Sequence, residues 1–120
     1  MLWLAAVLMI VAGIAHSYLG ERGFMQRLLA LPGLPLLRKD RGFTKRVIRV
    51  IWHAPSLYWA TTGVILMILA GNVVNPLRMI GLVLAATMFA MAAACIYCGW
   101  RHPAIAIFAA AAVLTTYAVW

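Results

Sequence analysis

The sequence predicts an all-α polytopic membrane protein, an antiparallel bundle of four transmembrane helices, and three observations carry that prediction. Of the 120 residues, 67% are hydrophobic and only 10% are charged, with a mean hydropathy of +1.01, which lies far outside the composition of a soluble domain. The apolar residues fall in runs long enough for a hydrocarbon core of about 30 Å. Each crossing takes about 20 helical residues, so the chain has room for at most about four crossings and one modest loop. The basic residues are gathered rather than spread, with eight of the ten between Arg22 and Arg49. A nucleotide-binding fold, a disulfide scaffold and catalysis on a large water-soluble substrate each need polar sequence that is not here.

The first run, Met1 to Leu19, lacks the basic leader of a signal peptide and is read as a retained helix over about 1–19. Gly20 to Arg49 follows, with Arg22, Arg27, Arg38, Lys39, Arg41, Lys45, Arg46 and Arg49 against Glu21 and Asp40, a net charge of +6. Within it, Phe24 to Leu37 is too short and too broken by proline to cross, yet too apolar to be solvated. It is expected to lie in the headgroup plane as part of a basic loop over 20–46. The second helix is expected over 47–71, interrupted only by His53 and Pro55. Pro55 either kinks a helix that begins near Thr44 or sits in the first turn of one that begins at His53.

Asn72 to Asn75 reads as a turn, with Asn75 capping a third helix over 76–100 whose first residue is Pro76, where a missing N–H does no harm. Arg101-His102-Pro103 repeats the device before a fourth helix over 103–120. Loops this short force the last three helices to run antiparallel. The asymmetry of Lys and Arg is expected to place the basic loop in the cytoplasm and both termini in the periplasm or outside. Trp3, Trp52, Tyr58, Trp59, Tyr97, Trp100, Tyr117 and Trp120 lie mostly near helix ends and read as interfacial belts. The net charge of +8 is then a signal for topology and for anionic lipid headgroups, worth about 1 kcal/mol per basic residue near the surface, and not for nucleic acid.

The residues able to carry proton, electron or metal chemistry are His16, Glu21, His53, Cys95, Cys98 and His102, all near the cytoplasmic ends of their helices. His16 and His53, on adjacent helices with apolar walls, suit the axial pair of a haem b. Cys95 and Cys98 are spaced i,i+3, which puts both sulfurs on one helix face. With His53 or His102 they suit a transition metal such as zinc or copper(I). A di-iron site is excluded for want of carboxylates. Against these stand plainer roles, the histidines as hydrogen-bonded helix ends and the cysteines as small packing residues. Glu21 stands at a helix C-terminus, where a negative charge is unfavourable; it needs a cation, and Arg22, Arg46 or Arg49 would staple the loop to the helices.

A second class of function is an accessory or assembly subunit with no chemistry of its own, packing as a homo-oligomer or on a larger complex through the i,i+4 line Ala86, Ala90 and Ala94. A small transporter coupled to protons through His16 is the third.

The segment His16-Ser-Tyr-Leu-Gly-Glu-Arg22, followed by Arg49-Val-Ile-Trp-His53, resembles a group of small four-helix bacterial inner-membrane proteins in which an H-S-x-x-G-E-R segment precedes a W-H segment. The resemblance covers roughly the first half of the chain. It implies the four-crossing architecture and a shared role for His16, Glu21 and His53; Cys95 and Cys98 are not part of it. The small multidrug resistance transporters are similar in length and helix number, but they carry an essential glutamate inside the first helix, and no carboxylate lies inside any crossing here.

Overall fold

In the computed structural model, which describes residues 1–120, every regular element is helical. Helix α1 (Leu2–Gly20) passes without a break through a π turn (Glu21–Met25) into α2 (Gln26–Ala30); α3 (Arg41–Ala70), α4 (Pro76–Cys98) and α5 (Ala104–Val119) follow. The α1–α2 run has 29 residues and α3 has 30. At 1.5 Å per residue each is about 45 Å long, half as long again as a hydrocarbon core. Together with α4, these are the helices long and apolar enough to cross a membrane, whereas α5, at 16 residues, is shorter.

The basic segment is therefore mostly helix and not a loop over 20–46: only residues 31–40 connect, with a 3-10 turn at Leu37–Lys39. Two local causes account for the difference. No proline occurs before Pro32, so nothing stops the first helix until Leu31, which takes an extended ψ of 130° as a residue ahead of proline must. At the other end Asp40 is an N-cap, its carboxylate accepting from the Phe43 N–H at 3.0 Å, so α3 starts six residues earlier than hydropathy indicates. The buried Thr44 hydroxyl locks the junction, accepting from the Leu37 N–H and donating to the Asp40 carbonyl, both at 2.8 Å. The apolar stretch that was expected in the headgroup plane instead folds onto α3: Met25, Leu29 and Leu34 are buried together against Leu28, Ile48 and Trp52.

Pro55 lies well inside α3, so the first-turn alternative is excluded. It has no N–H to offer the Ile51 carbonyl, and the helix runs on through it. Helix α4 begins on a capped proline, Asn75 accepting from the Arg78 N–H at 3.1 Å with Pro76 in the first turn.

The helices stand in an open row. α1 packs on α3, α3 on α4 and α4 on α5, and the backbone measures 53 × 32 × 12 Å. Three interaxial spacings of about 8–10 Å plus the width of one helix account for the 32 Å dimension, so the molecule is about one helix thick and does not close into the expected bundle. Only 17 of 120 residues are buried, too few for an enclosed core. The cause lies in where backbones can approach. A Cβ at Gly13 would press on the Ser56 carbonyl, one at Gly63 on Ile10 and the Ala6 carbonyl, and one at Gly81 on Val119. These close contacts join neighbours along the row. Apolar faces gain nothing from meeting each other in hydrocarbon, so Leu8, Val11, Ile14, Val113 and Leu114 stay exposed on the broad faces and edges. Between α3 and α4 the buried hydroxyls of Thr61 and Thr87 bond at 2.8 Å, and the Arg78 guanidinium lies 4.6 Å over the Trp120 ring at the far end of α4 and α5.

Two glycine substitutions separate packing from propensity. Gly63→Leu should force α1 off α3 and destabilise the protein by about 1–3 kcal/mol, the usual cost of overpacking, whereas Gly23→Ala, with nothing near the new methyl, should be neutral or stabilising by up to about 1 kcal/mol. Unfolding in mixed micelles, followed by circular dichroism, measures both.

Candidate functional site

The polar residues of the first half meet across the seam between α1 and α3. Ser17 and Glu21 are one turn apart on α1, and Arg49 and His53 are one turn apart on α3, so the two pairs face one another as the corners of a square. The Ser17 hydroxyl donates to Nδ1 of His53 at 2.8 Å. On the other side of the ring, Nε2–H of His53 donates to Oε2 of Glu21 at 3.3 Å. The second oxygen of Glu21 accepts from Arg49 at 2.9 Å. The chain Ser17–His53–Glu21–Arg49 occupies both ring nitrogens and both carboxylate oxygens. The side chains of Arg49, His53 and Glu21 are 43, 37 and 28% exposed, so the cluster is a half-open one at the edge of a groove. An ion pair so exposed contributes at most about 1 kcal/mol in water.

The π turn begins at Glu21 itself. Such turns insert one extra residue into a helix and occur often at functional sites. Here the insertion comes just after the clasp, and Met25 and Leu29 beyond it are again buried.

His16 belongs to the opposite side of the seam. Its ring stacks on Trp52 with centroids 4.6 Å apart and planes 13° from parallel, meets Trp59 edge-on at 5.1 Å, and Nε2–H donates to the Trp52 carbonyl at 3.3 Å. Gly20 is required beside it, because a Cβ there would overlap the Trp52 indole. Phe24 packs on the same indole at 5.0 Å. Trp52 therefore fills the seam. Each of His16, Ser17, Gly20 and Glu21 on α1 meets Trp52 or His53 on α3.

His16 and His53 are thus on neighbouring helices but not on one ligand. Successive helical residues point about 100° apart, and His16 with Trp52, and Ser17 with His53, take opposite flanks. His16 opens into a groove of about 300 Å³ with Phe24, Leu28, Ile51 and Pro55. His53 opens into one of about 540 Å³ with Gly13, Ser17, Tyr18, Ser56, Leu57 and Ala60. The two share no residue, and the axial pair expected for a haem is not assembled. Nor is the metal site: no three His, Cys, Asp or Glu side chains come close enough to hold an ion. Cys95 and Cys98 are free and buried in the packing of α4. His102 is exposed and accepts from the Ala104 N–H at 3.2 Å, at the start of α5. Of the arginines considered for Glu21, Arg49 makes the pair, while Arg22 donates to the Tyr18 hydroxyl at 2.7 Å and Arg46 makes no pair with Glu21, its buried Nε having no partner.

Sequence reasoning passed over Ser17, Trp52 as a contact residue, and Ser56, whose hydroxyl is buried without a partner. The spacing of Ser17 to Glu21 and of Arg49 to His53, both i,i+4, was the signal that could have found the square. No family model, curated protein or solved structure matches the chain.

A double-mutant cycle over Ser17→Ala and His53→Gln should give a coupling energy of about 0.6–1.7 kcal/mol, the range for polar contacts between membrane helices. Glu21→Ala, which leaves half-exposed Arg49 and His53 to solvent, should cost at most about 1 kcal/mol, and Glu21→Gln, which still accepts from His53, should cost less. Chemical unfolding in micelles gives all the values.

Proposed function

We propose that the protein is an accessory or assembly subunit of a bacterial inner membrane, crossing it with its basic end in the cytoplasm against anionic headgroups and its termini in the periplasm. The observation that carries this reading is the uncovered small-residue side of α4. Helix α5 takes one stripe of α4, where Gly81, Ala85 and Ala92 are buried. The separate line of Ala86, Ala90 and Ala94 is left open, the first two exposed and the third half-buried. Small residues at i,i+4 let a further helix come close enough for backbone contact, which drives association in hydrocarbon. A row one helix thick offers such a face along its whole length.

The reading as a carrier of haem b or of a transition metal ranks behind this one, because His16 and His53 open into separate grooves and the cysteines meet no third ligand. The partner is a second copy of the chain or a subunit of a larger complex.

Enlarging the open stripe tests the proposal. Ala90→Leu should leave the melting curve of the isolated protein nearly unchanged, since the residue is exposed, but should abolish the higher-order species expected when host membranes are solubilised mildly and run on a native gel. Assemblies of unchanged size in the variant contradict the reading.

A further inference from the structure

The square between α1 and α3 does more than hold two helices together, and this inference stands whether or not a partner docks on α4. We propose that Ser17, His53 and Glu21 form a nucleophile, base and orienting acid, and that the groove they line takes the carboxylic ester of a membrane amphiphile.

Four observations converge. Ser17 Oγ donates to His53 at 2.8 Å, within the reach a general base needs to draw off a hydroxyl proton. The other ring nitrogen is bonded to Glu21, and Glu21 is itself fixed by Arg49, so the imidazole is oriented and its positive form is met by a carboxylate. The two ring nitrogens take the roles in reverse of the commonest serine triad, which changes nothing chemically, because the proton passes to whichever nitrogen faces the serine. Second, the contact is reachable: Ser17 is half-buried, His53 is 37% exposed, and both line the groove of about 540 Å³. Third, Ser56 lines the same groove, and its hydroxyl has no partner although the residue is only 8% exposed. An unpaired buried donor is costly in a structure; this one has no bond to break in turning toward an oxygen held in the groove, the part a developing oxyanion needs filled.

The fourth observation is the polarity of the groove. Away from the polar group it is lined by Gly13, Ile14, Leu57 and Ala60, and at its other end lies Tyr18, bonded to Arg22, with Glu21 one turn beyond Ser17 outside the groove. An acyl chain fits the first end and a polar or anionic head the second, which sets the ester carbonyl near Ser17. A clasp alone needs neither an open groove nor an idle hydroxyl.

The step balances as follows. Ser17 Oγ forms a bond to the ester carbonyl carbon, its proton moves to Nδ1 of His53, and the carbonyl electron pair passes to the carbonyl oxygen, toward which the unpaired Ser56 hydroxyl turns. The carbonyl then re-forms, the bond to the alcohol oxygen breaks, and that oxygen takes the proton from His53. This leaves an acyl ester on Ser17. Water, entering from the open side, repeats the sequence and releases the carboxylic acid and the free serine.

The test uses the full chain in micelles and a long-chain alkyl fluorophosphonate, which phosphonylates an activated serine with loss of fluoride. The expected result is one adduct per chain, mapped by peptide mass spectrometry to Ser17 and absent after heat denaturation. His53→Gln should slow its formation by about 100-fold or more, the lower range for a positioned general base. Ser56→Ala should slow turnover of a medium-chain ester by about 100-fold while leaving the melting curve nearly unchanged. No adduct on the folded wild-type protein, an adduct on another residue, or labelling of His53→Gln at the wild-type rate overturns the proposal. The wild-type result decides even if a variant fails to fold.

Discussion

The molecule depends on the seam between α1 and α3. Helix α1 stands at the edge of the row, so its place is set by one neighbour, and so is that of the α2 segment continuing from it. Apolar matching cannot fix that place, because one apolar helix face suits lipid as well as protein. What does fix it is the combination of close approach and directed polar contact. Gly13 and Gly63 let the backbones meet, the indole of Trp52 fills the space that Gly20 leaves, and the bonds through His53 set the register. Sliding α1 by one turn would separate all of these at once, leaving the polar groups of the seam without their partners.

The same logic explains why the row stays open. Each seam has its own short-range tie: glycines and polar groups between α1 and α3, paired hydroxyls between α3 and α4, and Gly81 against Val119 with Arg78 over Trp120 between α4 and α5. Nothing comparable links α1 to α5. The result is a sheet of helices whose broad faces and grooves stay exposed, and Ser17 and His53 line one of those grooves and not a central cavity.

Hydropathy made the helical segments legible, and the Asn75–Pro76 start of α4 could be read from turn chemistry alone. The helix ends near the basic segment could not. Ten residues of helix beyond Gly20 carry too much charge to read as a span, and the Asp40 cap is an ordinary aspartate among basic neighbours until its bond to Phe43 is seen. For the site, depth was legible and azimuth was not. His16 and His53 do lie at the same seam, but a rotation of about 100° per residue sends them to opposite flanks, and no composition argument could choose between those flanks. Glu21 was visible as a charge in need of a cation, while its bond to His53 depends on two i,i+4 pairs coming into register across helices separated by the whole connector.

The most direct measurement is solid-state NMR of the protein in lipid bilayers, with His53 labelled by 15N and Glu21 by 13C at its carboxyl carbon. The account predicts a proton on Nε2, dipolar coupling between that nitrogen and the Glu21 carboxyl at hydrogen-bonded range, and an Nδ1 shift that moves when Ser17 becomes alanine. A His53 ring with no coupling to Glu21 and no response to Ser17 would contradict it.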